Sequence, residues 1–167
     1  MVSINECVND FKKELAKGEI QKAYKGIFDF LTEIKTALLD MNPDNLSSGS
    51  MYHGYLDMSY FPIITNVLKK HKLKVAVVFN YESFQLEVWL SGMNRVVSKN
   101  IWELLKKKQW NKYPLVKDIQ MSDSIMECIL RKKIDLERRE EIAEIRIMIE
   151  SFLTDVEEFL KQEDIFL

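Results

Sequence analysis

LKVAVVFNYESFQLEVWLSGMNR, residues 73 to 95, carries two runs of period-two patterning joined by a short polar segment. Leu73, Val75, Val77 and Phe79 alternate with Lys74, Ala76, Val78 and Asn80. In the second run Phe84, Leu86, Val88 and Leu90 alternate with Gln85, Glu87, Trp89 and Ser91. Successive strand side chains point to opposite faces, so each run predicts a strand with one continuous apolar face. Asn80-Tyr81-Glu82-Ser83 makes a four-residue connection, and the stretch predicts a β-hairpin.

Upstream of the hairpin, Tyr55, Asp57 and Ser59 alternate with Leu56, Met58 and Tyr60, which predicts another strand with its polar residues on one face. Pro62 then fits the first turn of a short helix from Ile63 to Lys70, where its missing N–H costs nothing. Downstream, Ser98 is placed to cap a helix bearing Ile101, Trp102, Leu104 and Leu105. Lys106, Lys107 and Lys108 fall in its last turn, where the helix dipole favours cations. Tyr113 to Val116 is a short edge strand if Pro114 is tolerated there. Ser122 caps a further expected helix running to Arg131, with Met121 and Met126 as its hydrophobic staple.

Helices frame these elements at both ends. Ser3 and Glu6 fit a capping box, followed by Ile4, Val8, Phe11 and Leu15 at helical spacing. Gly18 interrupts, and Ile20, Tyr24, Ile27, Leu31, Ile34 and Leu38 continue the pattern until Asn42-Pro43-Asp44-Asn45 stops it and residues 47–50 form a loop. Asp135 to Gln162 is the longest element. Its seam of Ile142, Ile145, Ile149, Phe152, Val156 and Phe159 matches that of the second helix, which predicts an antiparallel intramolecular pair. A homodimer through this C-terminal helix is the alternative to a monomer. The expected architecture is a single α+β domain over residues 1–167. In it an antiparallel sheet of three to four strands is flanked by helices, with the long N- and C-terminal helices packed together.

Composition bounds the function. The 167 residues are 47% hydrophobic and 30% charged, with five Gly and three Pro, an ordinary globular balance with few loops. A net charge of −2 argues against a protein that binds by neutralising phosphates. The N-terminus lacks the apolar core of a signal peptide, and no run approaches the ~20 apolar residues of a membrane span. Cys7 and Cys128 lie apart in expected helices, without CxxC or histidine company. They read as reduced, partly buried thiols of a cytoplasmic protein, and no metal or cofactor site is expected.

The candidate site lies on the hairpin's second face. Glu87 flanked by Trp89 is not an ordinary solvent face, because tryptophan generally packs on a helix, a partner or a ligand. With the Tyr55–Ser59 strand alongside, Asp57 is placed to approach Glu87, although Glu87 can equally pair across the strand with Lys74. Asn94 and Arg95 follow at a strand-to-helix junction, where a guanidinium can clamp a carboxylate or phosphate. His53 is the one histidine suited to acid–base work, since His71 sits in the lysine-rich run 69–72 and reads as solvated. Two adjacent acidic strands invite comparison with metal-dependent nucleases, but Glu87-Val88-Trp89 lacks their lysine. Neither a glycine-rich phosphate loop nor a nucleophile elbow is present. Trp110-Asn111-Lys112-Tyr113 reads as an aromatic anchor for the helix-to-strand turn.

Three strings carry a family likeness. They are Tyr55 to Phe61 (YLDMSYF), Phe84 to Arg95, and Trp102-Glu103-Leu104-Leu105 leading to Trp110-Asn111-Lys112-Tyr113. Together they resemble a family of small uncharacterised bacterial proteins, over roughly Tyr24 to Leu160. The resemblance implies a bacterial cytosolic protein and brings no activity with it. The residues point to a non-catalytic ligand-binding or protein-interaction module, its partner a small molecule or a protein. The alternative is a small hydrolase on a polar or phosphorylated substrate, with Asp57 or Glu87 as general base and Arg95 holding the anion.

Overall fold

The computed structural model describes residues 2–138 and 140–163. Five helices and six strands follow in the order α1 (Ile4–Ala16), α2 (Glu19–Met41), β1 (Leu46–Ser48), β2 (Tyr52–His53), β3 (Met58–Thr65), α3 (Asn66–Lys70), β4 (Leu73–Asn80), β5 (Gln85–Gly92), α4 (Arg95–Lys107), β6 (Met126–Arg131) and α5 (Glu140–Gln162). All strand pairs are antiparallel, in the order β1-β3-β4-β5-β6, with β2 also on β3. The α+β class is as expected. The sheet is larger than the three to four strands expected, because two strands are too short to show a period and a third, β6, lies where the sequence predicts a helix.

The hairpin forms in register, Leu73 opposite Gly92 and Asn80 opposite Gln85. Its turn is Tyr81–Phe84, one residue later than expected. The Asn80 side-chain carbonyl accepts the backbone N–H groups of Glu82 and Ser83, at 3.0 and 3.3 Å, which closes the turn locally. Phe84 consequently leaves the strand, with φ +50 and its side chain exposed.

Leu73, Val75, Val77 and Phe79 of β4, with Leu86, Val88 and Leu90 of β5, face a core filled by α2 and α5. Each such side chain, removed from water, contributes roughly 1.5–3 kcal/mol. The α5 seam is buried at Ile145, Ile149, Phe152 and Val156. Its contacts with α2 advance in the same sense along both helices: Leu136, just before α5, lies beside Gly26, and Glu150 meets Asn42. The pair therefore forms without the antiparallel arrangement expected. Helix α1 carries the expected capping box but buries no residue and touches α2.

Three further expectations change. Strand β3 presents Ser59, Phe61 and Ile63 to the core and Met58, Tyr60 and Pro62 to the other side, the reverse of the polarity reading. Ser59 is fully buried because its hydroxyl pairs with that of Tyr81 at 3.0 Å. Pro62 lies inside β3, not in a helix. On its outer side β1 pairs residues 63–65 and β2 pairs residues 59–60, so the absent N–H falls in a gap between two short strands. Residues 126–131 form β6 rather than the end of a helix. Met126 and Leu130 are buried, but Ile129 faces outward and is 45% exposed, which obscures the alternation in the sequence.

His71 is also buried, at 3% exposure, its Nδ1–H donating to the Val67 carbonyl at 2.9 Å. Cys7 is exposed, Cys128 is half-buried, and neither is in a disulfide. No helix among the described residues is long and apolar enough to cross a membrane.

Candidate ligand-binding groove

The second face of the sheet is only partly covered. The register sets its side chains in rows: Met58, Asn80 and Gln85; then Tyr60, Val78, Glu87 and Ile129; then Pro62, Ala76, Trp89 and Glu127; then Lys74 and Ser91. Ala76 opposes Trp89, so a methyl group sits beside an indole and leaves a gap on the sheet. That gap is the floor of a groove of about 320 Å³, within the size range of small-molecule sites. Tyr60, Val78 and Trp89 extend the apolar floor; Ala76 and Val78 lie outside the core of the opposite face.

One wall is the first turn of α4, with Asn94, Arg95 and Ser98; the other is the loop carrying Ile119, Ser122 and Asp123. The helix starts at Arg95, four residues earlier than a Ser98 cap would place it, because Asn94 caps it by accepting the Val97 N–H at 2.9 Å. Ser98 takes the Gly92 N–H at 3.0 Å instead. A Cβ on Gly92 would lie 2.6 Å from the Ser98 nitrogen, so only glycine lets strand and helix meet this closely. That contact sets Arg95 at the rim, where it reaches across to Asp123 at 3.4 Å and to the Gln120 carbonyl at 3.2 Å. Both partners are exposed, so the bridge adds little stability.

Trp89 is held by one edge. Its indole N–H donates to Glu87 at 2.7 Å, and Asn80 donates to the other carboxylate oxygen at 3.3 Å. Glu87 is 7% exposed. A buried carboxylate here is satisfied by two neutral donors, and the expected pairing with Lys74 does not occur. The chain Asn80–Glu87–Trp89 ties the indole to the hairpin turn.

The expected site residues divide into two groups. Trp89, Asn94 and Arg95 line the groove, with Glu87 supporting Trp89 from beside it. Asp57 and His53 lie elsewhere. Asp57 is in the loop before β3, its carboxylate accepting the Tyr55 N–H at 2.8 Å. The Met58 backbone N–H beside it holds its carboxyl below the usual range. His53 stacks on Phe28 of α2, ring centroids 4.1 Å apart. No hydrogen bond joins Asp57 to Glu87 among the described residues, nor does any group of three His, Cys, Asp or Glu there suit a metal ion. Tyr60, Lys74 and Ser98 were not among the expected site residues. Polarity alone puts Tyr60 on the core side, opposite Ser59, and Ser98 has the residue type and position of a helix cap.

Trp110 and Tyr113 anchor the segment after α4, as expected. Their rings lie 5.1 Å from Phe159 and 4.8 Å from Phe152 respectively.

A family model described as a domain of unknown function (DUF7000) matches residues 4–160, and the chain belongs to that family. Comparison with curated proteins and with solved structures finds no match.

Proposed function

We propose that this family member is a non-catalytic ligand-binding module, a single cytoplasmic folding unit working as a monomer, whose site is the groove over Ala76 and Trp89. One observation carries the reading. A tryptophan and a tyrosine are held half-exposed over a small-residue floor, and a buried carboxylate fixes the tryptophan in place. Solvent-facing sheet surfaces do not require a locked indole, whereas recognition of an apolar body does. Trp89, Tyr60, Asn94 and Arg95 would contact the ligand, and Glu87 would position Trp89. Asp57 and His53 have no part in this reading.

The test is a thermal-shift screen of small aromatic and branched acids, amides and amines against the protein and its Ala76→Phe variant. Ala76 faces the groove, so a phenyl ring there fills the floor without entering the core on the other face. Compounds that raise the melting temperature of the wild type are expected to lose that effect in a folded Ala76→Phe protein. Stabilisation that persists in the variant would show that ligands bind elsewhere.

A further inference from the structure

We infer that the groove selects an organic monoanion, a carboxylate on an aromatic or branched apolar body, with its charged end beside Lys74. The inference rests on the groove being a binding site and adds the ligand's class. Three charged side chains line the groove: Lys74, Arg95 and Asp123. Arg95 and Asp123 pair with each other across the rim, so Lys74 is the unpaired charge of the lining; Glu87, buried beside Trp89, and Glu127, which accepts from Ser124, lie on the same face but outside the lining. Lys74 is half-buried, and no carboxylate pairs with it among the described residues. A long cationic side chain ordinarily snorkels to water or finds an acid. Here it lines the groove half-buried, directly opposite Ser91 in the register.

The polar groups nearest Lys74 favour the same sign. Ser91 is 7% exposed and lines the groove beside Lys74, offering a hydroxyl donor. The first turn of α4 adds the positive end of a thirteen-residue helix. A carboxylate placed between them would replace water with charge-assisted hydrogen bonds. A phosphate monoester would bring about two negative charges to one unmatched cation, and the second would be desolvated without a partner. The other end of the groove, with Ala76, Val78, Tyr60 and Trp89, is apolar and suits the body of such an acid.

The experiment compares indole-3-acetate, its neutral amide and the cation tryptamine by isothermal titration, with phenyl phosphate as the dianion, on wild type and on Lys74→Gln and Lys74→Arg. The acid is expected to bind wild type roughly tenfold or more tightly than the amide, the size of one charge-assisted hydrogen bond. Its preference should weaken as salt is raised, disappear in Lys74→Gln and survive in Lys74→Arg. Phenyl phosphate should bind more weakly than the acid. Equal binding of acid and amide, a preference that survives Lys74→Gln, or tighter binding of phenyl phosphate would overturn the inference while leaving the groove a binding site. If none of the four probes binds, both the inference and the groove reading fail.

Discussion

Glu87 is the residue on which the site's geometry depends. It accepts from Trp89 and Asn80, and removing it leaves two partly buried N–H donors without an acceptor. Glu87→Ala should therefore cost about 1–3 kcal/mol in chemical denaturation. Glu87→Gln, which keeps the shape and one acceptor, should cost less. An alanine variant as stable as wild type would mean that the network does not hold Trp89. Tyr113 provides a second test, through pH. Burial, helped by its hydrogen bond to Asp155 at 2.7 Å, pushes its phenol up to about 12, from an ordinary 10.0. A raised folded-state pKa contributes stability that is complete below pH 10 and lost as pH rises toward 12. Stability should therefore fall less steeply across that window in Tyr113→Phe than in wild type, as measured by denaturant midpoints at stepped pH. Equal slopes would contradict this.

At the scale of elements, what could be read in the sequence followed the length and polarity of each segment. The hairpin and the α5 seam were legible because eight-residue alternation and a repeated three–four spacing exceed any local competing pattern. β1 and β2, at three and two residues, are shorter than a readable period. β3 was legible as a strand but not in its facing, since Ser59 and Tyr60 each occupy the side that polarity alone would deny them. Ser59 is inside because Tyr81, from another strand end, supplies its partner, and no local pattern contains that information. Helix α1 is the opposite case, a clear sequence signal with little tertiary support. Its capping box satisfies the first amides, yet none of its side chains is buried. Ser3→Ala should cost about 1 kcal/mol of helix stability. That loss should show as faster amide exchange confined to residues 4–16, with the melting temperature unchanged. A fall in melting temperature would mean that α1 is coupled to the core.

Across the whole molecule the sheet divides its labour by face. One side is closed by α2 and α5 and accounts for most of the buried apolar residues; the other is left open between the start of α4 and the 119–123 loop. The sequence indicated that the hairpin's second face is unusual, and it named Trp89, Asn94 and Arg95. It did not indicate that Ala76 opposes Trp89, or that the loop after α4 returns to form a wall, because both follow from register and chain path. Asp57 and His53 drew attention by residue type alone, and their neighbours are a loop amide and a phenylalanine ring. The central claim is that ligands enter beside Trp89. It is tested most directly by the three tryptophan indole N–H signals of ¹⁵N-labelled protein during titration with indole-3-acetate. Trp102, which donates to the Val116 carbonyl at 2.9 Å, and Trp110, packed edge-to-face on Phe159, serve as internal controls. The account predicts a saturable shift of the Trp89 signal with the other two unmoved; a Trp89 signal that stays fixed while another moves, or no movement at all, would contradict it.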